Sequence, residues 1–207
     1  MNNSFRNIIF DRDGIINDVV VRHNTISSPR NLKEFILKED FNKFINKLPS
    51  SLNLFVATNQ PDIARGLLKK TILKKMHEDI LKIYPIREIF VCMHDNKDMC
   101  ACRKPKPGMI EEIIKKYNLS KSETCIIGDS SKDVEAGLNA GINSFLLATE
   151  YNKDTQTKYK KNTNICLFRD FNELECFFQI VQIAYQAVQI DNLKDYHHKL
   201  KRIFWVI

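Results

Sequence analysis

The chain has 207 residues, a formal net charge of +7, 43% hydrophobic and 28% charged residues, and no apolar run long enough to span a bilayer. That is enough chain for one well-buried domain, and its balance excludes a disordered or fibrous protein. No membrane partner is expected; Met1–Arg6 lacks the apolar core of a signal peptide, so a cytoplasmic location is the expectation.

In chain order, strand-length apolar runs alternate with helical periodicity. Strands are expected at Asn7–Asp11, Leu54–Thr58, Glu88–Cys92, Thr124–Gly128, Asn143–Leu147 and Asn164–Phe168. Phe41–Leu48 reads as a helix after the first strand. Ile72, Leu73, Met76, Ile80 and Ile83 mark another, and Ile110, Ile113, Ile114 and Tyr117 a third after Pro107-Gly108. Tyr151–Thr163 is polar and reads as a surface loop. A long helix follows, with Leu174, Phe177, Phe178, Val181, Ala184, Tyr185 and Val188 on one stripe. The alternation implies an α/β fold: a three-layer, Rossmann-like parallel sheet with helices on both faces. Residues 1–190 form the expected domain. Residues 191–207, ending in Ile203–Ile207, form a helical extension packing on it. A monomer or weak homodimer is expected.

The positive charge suits either nucleic acid or a lysine-rich solvated surface biased toward anionic substrates. The lysines are spread along the chain, with Lys153–Lys161 the one local basic run, so no nucleic-acid partner is expected. Cys125, Cys166 and Cys176 read as buried small hydrophobes.

Two distant runs end abruptly in acid and glycine: Ile8-Ile9-Phe10-Asp11-Arg12-Asp13-Gly14 and Ile126-Ile127-Gly128-Asp129-Ser130-Ser131-Lys132-Asp133. Buried parallel strands deliver carboxylates to a sheet rim in this way, and crowded carboxylates call for a hard cation such as Mg²⁺. Asp11 and Asp13 flank one short turn and can divide nucleophile and proton-transfer duties in phosphoryl chemistry.

Asp11-Arg12-Asp13-Gly14-Ile15-Ile16-Asn17 resembles the first motif of the haloacid dehalogenase superfamily of phosphatases. Val56-Ala57-Thr58-Asn59-Gln60 resembles the second, Cys102–Met109 the third and Gly128–Asp133 the fourth. The resemblance covers roughly Asn7 to Ala148. It implies that Asp11 is the nucleophile, forming an aspartyl-phosphate, and that Asp13 is general acid and then base. It implies Mg²⁺ held by Asp11, the Asp13 carbonyl and Asp129, and phosphoryl oxygens bound by Thr58, Asn59 and Lys104. The chain between these motifs has no room for a large cap domain.

Cys92, His94, Cys100 and Cys102 offer a complete tetrahedral Zn²⁺ set in a loop spanning residues 92–102, just before Arg103 and Lys104. This cluster is similar to that of the heptose-bisphosphate phosphatases and the histidinol-phosphate phosphatases related to them. The implied substrate is a small sugar bisphosphate, with the 7-phosphate of a heptose 1,7-bisphosphate removed. Thr58, Asn59, Gln60, Arg103, Lys104 and Ser130 form the expected substrate-facing set. Three features depart from the pattern: Pro61-Asp62, Ser130 where a basic residue is frequent, and the apolar stretch Asp18–His23. A histidinol-phosphate phosphatase and a catalytically inactive, zinc-containing nucleic-acid module stay open as alternatives.

Overall fold

The computed structural model describes residues 5–162 and 165–192, with side chains of the last helix described as far as Val181. Along the chain run β1 (Asn7–Phe10), β2 (Val20–Arg22), β3 (Thr25–Ser27), α1 (Glu39–Ile45), β4 (Asn53–Asn59), α2 (Lys70–Ile83) and β5 (Glu88–Cys92). Then follow α3 (Gly108–Tyr117), β6 (Thr124–Gly128), α4 (Ser131–Ala140), β7 (Asn143–Leu147), α5 (Lys153–Tyr159), β8 (Ile165–Phe168) and α6 (Phe171–Asn192).

Six strands form one parallel sheet in the order β5-β4-β1-β6-β7-β8. Alternate residues of each central strand serve opposite layers, the two-residue period of a pleated strand. Ile8, Phe10, Leu54, Val56, Cys125 and Ile127 face α1 and α6, where Phe41, Phe44, Phe171, Leu174 and Phe178 fill the layer. Ile9, Phe55, Ala57 and Ile126 face α3 and α4. Because both faces are covered, the strands read as continuous apolar runs. The first layer is packed by aromatic edges: Phe41 meets Phe10 at 5.3 Å and Tyr84 at 5.2 Å between ring centroids.

The chain leaves β1 toward β4 and β5 on one side and returns to β6 on the other. The strand order therefore reverses at β1, and the crevice beyond its carboxyl end is where α/β sheets bind ligands. Among the described residues no helix is long and apolar enough to cross a membrane.

Three sequence expectations need correction. The polar stretch 151–163 is not a plain loop: it contains α5, tied by the buried Asn152 and capped inward by the buried Tyr159. Cys166 and Cys176 are exposed rather than buried. Cys166 sits on the outward side of edge strand β8, between buried Ile165 and Phe168, and Cys176 lies off the α6 face made by Leu174 and Phe178. The stretch 18–27 folds into the unexpected hairpin β2–β3. The stripe positions Ala184, Tyr185 and Val188 fall within α6 but beyond its described side chains, and the apolar tail 193–207 lies outside the described residues.

Candidate active site

Asp11 and Asp13 follow β1, Thr58 and Asn59 end β4, and Asp129 follows β6. Since β4, β1 and β6 are neighbours, three separate sequence runs reach one rim. They open onto a cleft of about 680 Å³, walled by the hairpin on one side and the 92–102 loop on another.

The carboxylates of Asp11, Asp129 and Asp133 offer oxygens within 4.8 Å of one another. Burial and repulsion from Asp133, offset by Lys104, push Asp11 up to about 8. Burial and Asp133 likewise push Asp129 up to about 7. A cluster that resists its own ionisation to this degree fits a divalent cation, which would relieve both effects. Lys104, 2% exposed, lies between two of these acids: its Nζ donates to Asp11 Oδ1 at 2.8 Å and Asp133 Oδ1 at 2.5 Å. Burial opposes its charge, but the two carboxylates prevail and hold it above the ordinary lysine range.

Asp133 is a residue that sequence reasoning quoted without assigning. Besides Lys104, its carboxylate accepts from the N–H (3.1 Å) and hydroxyl (2.5 Å) of Ser130. Its spacing from Ser130 is that of a capping box at the start of α4, and this signal was readable. Ser130, expected to face substrate, lines the cleft, and its hydroxyl donates to Asp133 there.

Asp13 does not join the acidic cluster. Its carboxylate accepts from Arg12 Nε (3.0 Å) and Nη2 (2.7 Å), Asn17 Nδ2 (2.9 Å) and Gln60 Nε2 (2.8 Å). Burial works against the charge, but Arg12 and Asn17 outweigh it and hold the carboxyl below its ordinary value. Arg12 itself has no exposure; its Nη1 meets His77 Nε2 at 3.2 Å and its guanidinium lies over Phe35.

The second run is placed differently from expectation. Gln60 is fully buried and bridges Asp13 and the Thr58 hydroxyl, so it orients the acid and does not line the cleft. Thr58 is 1% exposed and accepts from Gln60. Asn59 grips the Lys104 backbone from both sides: Nδ2 donates to its carbonyl and Oδ1 accepts from its N–H, both at 3.0 Å. Asp62 is neutralised by Arg30 at 2.7 Å and Arg65 at 3.4 Å, which removes the repulsion an unpaired acid would offer an anion.

Cys92, His94, Cys100 and Cys102 converge. Cys102 Sγ lies 3.2 Å from Cys92 Sγ, 3.5 Å from Cys100 Sγ and 3.3 Å from His94 Nδ1. These separations are too long for a disulfide bond of about 2.05 Å. Arg103, immediately beyond, donates to Asn96 Oδ1 at 2.8 Å within the same loop. Arg22, Arg30 and Arg65 at the cleft are each paired with an acid. Arg103 contacts neutral acceptors, and the exposed Lys132 makes no ion pair among the described residues.

A family model described as HAD-hydrolase-like matches residues 101–174. The chain is 36% identical over 160 residues to a D-glycero-beta-D-manno-heptose-1,7-bisphosphate 7-phosphatase of Neisseria meningitidis, covering 73% of this chain and 82% of that protein. It is 33% identical to the corresponding alpha-heptose enzyme of Campylobacter jejuni, covering 71% of this chain and 84% of that one. Its fold matches the heptose 1,7-bisphosphate phosphatase of B. bronchiseptica, solved with magnesium and phosphate, at a TM-score of 0.73 and 27% identity, covering 86% and 99% of the two chains. The chain belongs to the heptose-1,7-bisphosphate 7-phosphatase family of HAD-like hydrolases.

Proposed function

We propose that this chain removes the 7-phosphate from a heptose 1,7-bisphosphate with Mg²⁺ bound at Asp11, Asp129 and the Asp13 carbonyl. The observation that carries the reading is the acid–lysine cluster of Asp11, Asp129 and Lys104 at the β1 switch point. Bound there, Mg²⁺ supplies positive charge that keeps Asp11 ionised and screens it from the phosphate dianion.

Asp11 attacks phosphorus and the bond from phosphorus to the sugar oxygen breaks, leaving an aspartyl-phosphate and the sugar alkoxide. Lys104 faces the developing negative charge on the phosphoryl oxygens. Asp13 gives the leaving alkoxide its proton and then takes one from the water that cleaves the intermediate. Arg12 favours the ionised form of Asp13, which suits the second task. For the first, Asp13 has to give up at least one of its donors.

Arg103, whose hydrogen bonds go to neutral acceptors, and the exposed Lys132 supply positive charge at the cleft, a match for the phosphate that is not removed. Cys92, His94, Cys100 and Cys102 are assigned to Zn²⁺. Tetrahedral ligands with Zn–S bonds of about 2.3 Å stand roughly 3.8 Å apart, and the observed 3.2–3.6 Å separations are close to this. With four ligands the ion has no open position, so its role is to hold the loop that carries Arg103 and Lys104.

The test is phosphate release, with Mg²⁺ present, from both anomers of the heptose bisphosphate and from histidinol phosphate. Preference for a heptose bisphosphate supports the proposal. Much more efficient turnover of histidinol phosphate would overturn it.

A further inference from the structure

Tyr151 belongs to none of the motifs. It precedes α5, in the stretch that reads as a loop, yet it lines both the catalytic cleft and a second cavity of about 430 Å³ beneath the hairpin. Its hydroxyl donates to Asp129 Oδ2 at 2.6 Å. Asn152, the next residue, donates from Nδ2 to the Asp129 carbonyl at 2.7 Å and to the Leu147 carbonyl at 2.8 Å. One dipeptide thus holds Asp129 by side chain and by backbone.

The nucleophile loop is shaped around the same pair. Gly14 has φ +90°, and a Cβ there would stand 1.9 Å from Asp129 Oδ2 and 2.5 Å from the Tyr151 hydroxyl. Any side chain at position 14 would displace the phenol–carboxylate contact. Glycine therefore serves two needs here, the left-handed turn and the close approach.

Of the clustered acids, Asp133 is committed to Lys104 and Ser130, and Asp11 must keep an oxygen for phosphorus. That leaves Asp129 as the acid with no second task in the reaction, so its orientation bears most directly on how well the cation is held. We propose that Tyr151 is a positioning residue for the Mg²⁺ ligand Asp129, occupying one carboxylate oxygen so that the other is presented to the ion. A phenol is a neutral donor near pH 7 and adds no charge to compete with the cation. Groups that orient metal ligands in this way are worth about 10–100-fold in metal affinity.

The proposal rests on the Mg²⁺-dependent reading above. It is tested by calorimetric titration of Mg²⁺ into the full chain and into Tyr151→Phe, which keeps the ring and removes only the donor. Circular dichroism and zinc content establish that the variant is folded. The expected result is Mg²⁺ affinity weakened at least about tenfold, with KM for the heptose bisphosphate at saturating Mg²⁺ unchanged within twofold. Equal Mg²⁺ affinity, with or without a lower melting temperature, would overturn the proposal by reducing Tyr151 to a structural tie. Unchanged Mg²⁺ affinity with a raised KM would overturn it in favour of a substrate contact. If the wild-type chain itself binds no Mg²⁺, the underlying reading fails as well, which sets that case apart.

Discussion

Arg12 holds the carboxylate of its sequence neighbour Asp13 with Nε at 3.0 Å and Nη2 at 2.7 Å, and the guanidinium is wholly buried. A charge in that position is tolerated because it is paired and hydrogen-bonded on each side, by Asp13, His77 and the face of Phe35. Asp13 in turn depends on Arg12 for its ionised form. Replacing Arg12 by Ala leaves a buried carboxylate without its cation, and a loss of about 3–5 kcal/mol is expected. Urea unfolding measures it. Arg12→Lys keeps the charge but not the fork, and should fold with a lower kcat.

His77 makes the folded chain sensitive to acid. Burial first, and then Arg12, lowers its imidazole to about 3, whereas in the unfolded chain it titrates near 6.5. Below that pH the unfolded chain binds a proton that the folded chain refuses. Stability therefore falls as pH drops from about 6.5 toward 3, with a slope of at most about 1.4 kcal/mol per pH unit from this group. His77→Gln offers Arg12 an amide oxygen that does not titrate. Unfolding free energies at pH 7, 5.5 and 4.5 should decline less steeply in the variant; parallel declines would show that His77 titrates normally.

Ser130 distinguishes a cap from a substrate contact. Its hydroxyl and N–H both go to Asp133 at the start of α4. Ser130→Ala should cost about 1 kcal/mol of stability, the usual worth of such a cap, and leave KM unchanged within twofold. A several-fold rise in KM without loss of stability would instead support a substrate contact.

Strands β5, β6 and β7 have the bounds the sequence suggests; for β6 and β7 the reason is that a strand covered on both faces is a plain apolar run with sharp polar ends. The hairpin was hidden by its turn. His23 and Asn24 both adopt positive φ, +50° and +58°, a geometry whose usual sequence signal is Asn-Gly or Asp-Gly. Helix α5 was hidden because its polar run carries no core stripe; what orders it includes Asn152, which accepts from Thr149 N–H and Gln156 Nε2. At the site, the residue types around Asp11 and Lys104 were legible, but their partnerships were not. Lys104 and Asp133 are 29 positions apart and Asp129 and Tyr151 are 22 apart, and spacing alone gives no sign of either contact.

The cysteine loop makes the last prediction. Cys102 lies within 3.5 Å of the other three donors and directly precedes Arg103 and Lys104. Arg65 pairs with Asp95 in that loop, and Lys106 donates to the carbonyls of Met99 and Cys100, so the loop is braced from both sides. An ion at its centre would convert these braces into a fixed mount for the two cations. Metal analysis of the purified chain should give about one zinc per molecule, and Cys102→Ser should reduce that content strongly. The variant should lose kcat/KM by at least about tenfold, as expected when the support of a site is loosened. The loss should be larger for the heptose bisphosphate than for a small aryl monophosphate. On the proposed reading Lys104 would serve both substrates, whereas Arg103 would have the second phosphate to hold only in the first. Full activity in zinc-free protein would remove the ion from the account and leave the loop held by its hydrogen bonds alone.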